Sequence, residues 1–150
     1  VQSIGIEFIV EVPKMKRILI IDDEVNLSEL IRRILEREGF HTLMAHNGLE
    51  GLKLLEQLHV DLVLMDVMMP GINGIEVCYQ IKNNPSSAAI PVVFMTASRT
   101  LDTQQKFLEA GADQILYKPF DTDELLQIID NLLNAPLLPP PVISQQSQCT

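Results

Sequence analysis

Five side chains with charged or hydroxyl heads stand at the ends of short apolar runs. Asp22 and Asp23 follow RILII (17–21), Asp66 follows VDLVLM (60–65), Thr96 follows PVVFM (91–95) and Lys118 follows DQILY (113–117). Three carboxylates brought together repel, each like-charge pair at about 4 Å costing roughly 4 kcal/mol at an effective dielectric near 20. A fold that gathers them must protonate one or supply cations. Lys118 offers one positive charge. An all-oxygen donor set suits a hard divalent cation such as Mg2+, which uses few protein carboxylates and commonly completes its shell with a phosphate oxygen. The combination points to phosphorus chemistry. A carboxylate can attack phosphorus and form an acyl phosphate, and phosphoryl transfer asks mainly for positioning and charge stabilisation. Asp66 is the candidate nucleophile, held on a strand tip ahead of a Pro-Gly turn, and the Thr96 hydroxyl is placed to hydrogen-bond a transferring oxygen.

The elements that must position these groups follow from hydrophobic period. RILII is short and dense in Ile, the pattern of a strand buried on both faces. Leu27, Leu30, Ile31, Ile34 and Leu35 then recur at helical spacing, and Gly39 stands where that helix should stop. The alternation repeats. FHTLMA (40–45) suits a strand, and Asn47-Gly48 opens a helix with Leu49, Leu52, Leu55 and Leu58 on one side. Gly51 within it costs about 1 kcal/mol against Ala. VDLVLM is a third strand, and Ile75, Cys78 and Ile81 mark a third helix closed by Asn83-Asn84-Pro85. PVVFM is a fourth strand. Residues 100–109 form a fourth helix with a thin apolar face of Leu101, Phe107 and Leu108, ended by Gly111. DQILY is the fifth strand, and Asp121 and Glu124 have capping-box spacing before a helix carrying Leu125, Ile128, Ile129 and Leu132. Five β–α units predict an α/β fold with a parallel sheet covered by helices on both faces. Ligands of such sheets bind beyond the carboxyl ends of the strands, where all five reactive side chains fall.

Composition bounds the rest. The 150 residues carry a net charge of −9, and an acidic surface repels phosphate backbones, so direct nucleic-acid binding is not expected. Cys78 and Cys149 make no CxxC pair, and Cys78 is expected to be a buried, reduced thiol. No apolar run reaches the ~18–20 residues of a membrane span, and the N-terminus lacks a signal-peptide pattern, so a cytoplasmic protein without membrane insertion is expected. His41, His46 and His59 are scattered and receive no catalytic or metal role. Residues 4–12, IGIEFIVEV, alternate at period two and suggest an extra strand in an N-terminal extension (1–15). Residues 135–150, with Pro136 and Pro139 to Pro141, read as a Pro-rich disordered tail.

Over residues 16–134 the chain resembles the receiver domain of two-component response regulators, including the single-domain chemotaxis-type regulators. The matching pieces are ILIIDDE, LVLMDVMMPGING, PVVFMTA and GADQILYKPF, in order on successive β–α units. The resemblance implies a doubly wound, flavodoxin-like five-stranded parallel sheet of strand order 2-1-3-4-5. It implies Asp66 as phospho-acceptor and Mg2+ held by Asp22, Asp23, Asp66 and the backbone carbonyl of Met68. Asp23 would ligate directly and Asp22 through waters. Thr96 and Lys118 would contact the phosphoryl group, with a cis bond before Pro119. The implied donor is a sensor histidine kinase or a histidine phosphotransfer protein. The downstream target would be a protein, and the chain would act as a monomer or homodimer rather than as a turnover enzyme. One position departs from the family pattern. The aromatic residue that many relatives carry three positions before the lysine is here Ile115, and Tyr117 shares its face without being an obvious substitute.

Three other functions compete. An aspartyl-phosphate phosphatase would need a second aspartate two positions after the nucleophile, where Met68 stands. A flavin binder would need hydroxyls and glycines after the first strand, where DDEVN is acidic. A degenerate receiver would be a docking module independent of phosphorylation. Ile115 favours it, and the full acidic, hydroxyl and lysine set opposes it. Met65, Met68 and Met69 are expected to be packing residues.

Overall fold

The computed structural model describes residues 15–134. Five strands alternate with five helices: β1 Arg17–Ile21, α1 Val25–Arg37, β2 His41–Ala45, α2 Gly48–Gln57, β3 Leu62–Asp66, α3 Gly74–Lys82, β4 Val92–Thr96, α4 Leu101–Ala110, β5 Gln114–Tyr117 and α5 Thr122–Leu133. All strand pairs are parallel and the order is β2-β1-β3-β4-β5, the flavodoxin-like arrangement expected. The order in which strands are added to the sheet reverses between β1 and β3, opening a crevice at their carboxyl ends. The expected N-terminal strand and Pro-rich tail lie outside the described residues.

Period-two alternation sends successive strand residues to opposite faces. Ile18 and Ile20 face α1 and α5 with Leu62, Leu64, Val93 and Met95. Leu19 and Ile21 face the opposite helices with Val63, Met65 and Phe94. Every residue of β3 and β4 is buried, so these strands are rigid mounts for whatever stands at their tips.

Several helix faces differ from their expected form. On α2 the fully buried residues are Gly48 and Gly51, while Leu49 is 62% exposed and Leu58 40%. The inner stripe therefore runs Gly48, Gly51, Leu52, Leu55, and Leu49 lies one residue, about 100°, around the helix from Gly48. Gly51 offsets its helix-propensity cost by close approach, because a Cβ there would run into the Ile21 side chain. Leu30 is 54% exposed at the rim of α1. On α4 only Phe107 and Ala110 are buried, with Leu101 81% and Leu108 64% exposed. Phe107 packs edge-on against Phe94 at 4.9 Å. Leu101 is the first residue of the helix and Leu108 is displaced from Phe107 by one position, so neither reaches the sheet. Met65 and Met69 pack as expected, but Met68 is 78% exposed because the loop after β3 turns it to solvent.

Candidate functional site

The site is assembled from four loops at the carboxyl edge of the sheet. Asp22 follows β1 directly. Its amide donates to the Ala45 carbonyl at 3.0 Å, which continues the β1–β2 ladder and draws the residue inward until it is fully buried. One carboxylate oxygen, Oδ1, accepts the Glu24 amide at 2.8 Å. The other, Oδ2, is buried and makes no hydrogen bond among the described residues. Glu24 is the N-cap residue of α1 but its side chain caps nothing. The acidic run is therefore not a helix-start motif. Ser28, also buried, donates to the Glu24 carbonyl at 3.1 Å and steadies the loop.

Asp66 is the last residue of β3 and is 7% exposed. Its Oδ1 accepts the Met68 amide at 3.3 Å, and Lys118 Nζ lies 3.5 Å from the same oxygen. Asp22, Asp23 and Asp66 each present a carboxylate oxygen within 4.8 Å of the others, with Asp23 exposed at the mouth. The Pro-Gly turn that follows uses Gly71 at φ +82°, a left-handed conformation that favours glycine. Gly74 then lets the start of α3 approach β3, since a Cβ there would stand 2.8 Å from the Asp66 carbonyl oxygen. Neither Ser28 nor Gly74 was singled out by the sequence. The repeated glycines of PGING are the signal that marks Gly74.

Thr96 ends β4 and is 4% exposed. Its hydroxyl oxygen accepts the Ser98 amide at 3.1 Å, and its carbonyl accepts the Lys118 amide at 2.8 Å. The Lys118–Pro119 bond is cis. All five candidate side chains thus lie on the same edge of the sheet. His41 and His59 lie at the opposite end, where His41 opens β2 and His59 pairs with Asp61.

The electrostatics follow from the packing. Burial pushes the Asp22 carboxyl up to about 6, the Glu24 amide opposes that rise, and the neighbouring Asp66 charge adds to it. Burial also raises Asp66, against the pull of the Lys118 ammonium. The donor set is all oxygen and carries more negative charge than one lysine balances. A buried, unpartnered carboxylate oxygen ordinarily incurs its full desolvation penalty. The group is chemically suited to a hard divalent cation.

Comparison with known proteins agrees with this geometry. Residues 18–130 match the response regulator receiver domain. The chain is 38% identical over 119 residues to the DNA-binding dual master transcriptional regulator RpaA of Synechocystis sp., covering 79% of this chain and 49% of that protein. It is 38% identical over 111 residues to the DNA-binding response regulator MtrA of Mycobacterium tuberculosis, covering 74% and 47%. It spans about half the length of the curated relatives it matches. Among solved structures, a CheY-like response regulator receiver domain protein of Methanospirillum hungatei superposes with a TM-score of 0.74 at 31% identity, covering 81% of this chain and 95% of that one. The chain belongs to the response regulator receiver domain family of two-component signalling.

Proposed function

We propose that the chain is a phospho-accepting switch in which Asp66 takes a phosphoryl group from a phosphohistidine on a sensor histidine kinase or a histidine phosphotransfer protein. The observation that carries this reading is the acidic cluster of Asp22, Asp23 and Asp66 with Lys118 Nζ 3.5 Å from Asp66. A carboxylate oxygen of Asp66 attacks phosphorus, the phosphorus–nitrogen bond of the donor breaks, and the imidazole leaves with the bond electrons. Asp66 ends a fully buried strand, a rigid mount that would limit the positioning cost of attack. Lys118 neutralises one phosphoryl oxygen, and the Thr96 hydroxyl donates to another. Asp22, Asp23, Asp66 and the Met68 carbonyl would hold Mg2+, which when bound supplies positive charge to the transferring oxygens. The Asp22 oxygen that makes no hydrogen bond supports this assignment.

Receivers of this family are not turnover enzymes in the usual sense. The output is a change in which protein is bound, by a monomer or homodimer in the cytoplasm. No described helix is long and apolar enough to cross a membrane. Two relatives are named as DNA-binding regulators. For the residues of this chain, with net charge −9, a protein target is the better fit, because like charge opposes a nucleic-acid backbone.

Acetyl phosphate with Mg2+ should label the unchanged chain at Asp66, read by mass spectrometry of its peptides. Asp66→Asn should abolish that label. Undiminished labelling of Asp66→Asn, or labelling that ignores chelation of Mg2+, would overturn the assignment.

A further inference from the structure

Ile115 packs against the core cluster on the α4 side of the sheet, where an aliphatic side chain makes no polar contact that could report the state of the site. Tyr117 is placed differently. It lies directly opposite Thr96 in the β4–β5 register and immediately before Lys118. Its strand partner is thus the hydroxyl residue at the tip of β4, and its chain neighbour is the lysine whose Nζ lies 3.5 Å from Asp66. The Tyr117 side chain reaches toward α4. Its hydroxyl oxygen accepts a hydrogen bond from Gln104 Nε2 at 2.6 Å. The Arg99 guanidinium, from the β4–α4 loop, sits 4.4 Å from the ring centroid.

The importance of this clasp depends on what else holds α4. The buried residues of the helix, Phe107 and Ala110, both belong to its second half. The first half, Leu101 to Lys106, has no buried residue. Its ties are polar: the Gln104–Tyr117 bond, and a hydroxyl cluster in which Ser98 meets Thr103 at 3.0 Å and Thr103 meets Thr100 at 2.8 Å. Ser98 also donates its amide to the Thr96 hydroxyl oxygen. Both ties lead back to Thr96, one through the Ser98 amide and one across the β4–β5 ladder.

We propose that Tyr117, through Gln104 and Arg99, transmits the charge state of Asp66 to the first turns of α4. The inference rests on the reading of Asp66 as a phospho-acceptor. A phosphoryl group on Asp66 draws the Thr96 hydroxyl and the Lys118 ammonium toward it. The Lys118 amide bonds the Thr96 carbonyl at 2.8 Å, so the strand end that carries Tyr117 shifts with both residues, and the clasp passes that shift to Gln104 and to the β4–α4 loop. Tyr117 is a positioning residue in this scheme and touches no reacting atom. The exposed Leu101 is carried on the segment that responds.

Hydrogen exchange of the full chain, with and without Mg2+ and beryllofluoride, tests the idea, since beryllofluoride mimics the acyl phosphate. Loading should change exchange across residues 100–106 by about fivefold, the factor that one neutral hydrogen bond commands. Tyr117→Phe keeps the ring under Arg99 but removes the oxygen that Gln104 binds, and Gln104→Ala removes the donor. In both variants the loading-dependent change should shrink by about that factor, while acetyl phosphate still labels Asp66. A response of unchanged size in either folded variant overturns the inference alone. Failure to label Asp66 in the unchanged chain overturns the phospho-acceptor reading and this inference with it.

Discussion

The two ends of the sheet treat the same chemical group in opposite ways. At the amino end, Asp61 accepts the Arg17 amide at 2.8 Å and meets His59 at 2.9 Å. Asp113 accepts the Val92 amide at 2.8 Å and Lys82 Nζ at 2.9 Å. Lys82 also donates to the Ile90 carbonyl at 2.7 Å. These carboxylates close the starts of strands and are satisfied in doing so. At the carboxyl end, Asp22 is more deeply buried than either, yet one of its oxygens has no partner among the described residues. Asp66 has a lysine at 3.5 Å and one long amide contact. Folding alone would favour satisfying these groups too. On the proposed reading, a site that accepts a phosphoryl group has to leave them in need of charge, so the amino end contributes stability while the carboxyl end gives some up for reactivity.

That contrast can be broken or sharpened by substitution. The largest effect on stability is expected at Asp113. Asp113→Ala leaves the Val92 amide of a fully buried strand without its acceptor and removes a partner of Lys82, so a loss of about 3 kcal/mol is expected. Urea or thermal unfolding measures it, and a loss near zero would show that the amino-end carboxylates do not stabilise the strand starts.

The opposite sign is expected at Asp22. Its folded pKa of about 6 lies above the ordinary carboxylate value, so the ionised native state carries a penalty above that pH. Without Mg2+ at neutral pH, Asp22→Asn should stabilise the chain by about 2 kcal/mol. The advantage should fade as pH falls from about 6 through about 4, below which the aspartate is protonated in both folded and unfolded chains. Thermal unfolding across that range reads it. Mg2+ should raise the melting temperature of the unchanged chain more than that of the variant.

The smallest effect is at Asp61. Burial alone would raise its pKa, but the Arg17 amide and His59 outweigh burial and hold it below the ordinary carboxylate value. A depressed folded pKa contributes stability above the unfolded pKa and loses it as pH falls through the folded one. Asp61→Asn should cost up to about 1 kcal/mol at neutral pH. Its pH trend should run opposite to that at Asp22, with the difference from the unchanged chain narrowing below about pH 4. Parallel trends at the two positions would erase the distinction between the two ends.

Much of this was readable from residue order. Short aliphatic runs closed by Asp22, Asp66, Thr96 and Lys118, separated by helical periods, specify alternating strands and helices and put reactive groups at one edge. The capping box of Asp121 and Glu124 formed as its spacing required, and Gly111 ends α4 at φ +99°. Local signals of this kind depend only on neighbours in the chain. Leu30, Leu49, Leu101 and Leu108 were harder, because period alone tells which residues share a stripe but not how wide a stripe the sheet covers.

The sequence by itself therefore determined the element order, the parallel architecture and the membership of the acidic edge. Only the tertiary structure decided which aspartates are satisfied and which are left wanting, that Gly51 and Gly74 are points of contact rather than weaknesses, and that Tyr117 rather than Ile115 is tied to α4. Asp22, Asp61 and Asp113 are the same residue type, and nothing local separates them. Their difference lies in which amides, ammonium groups and apolar walls arrive from segments distant in the chain, and that is set when the sheet and its helices pack.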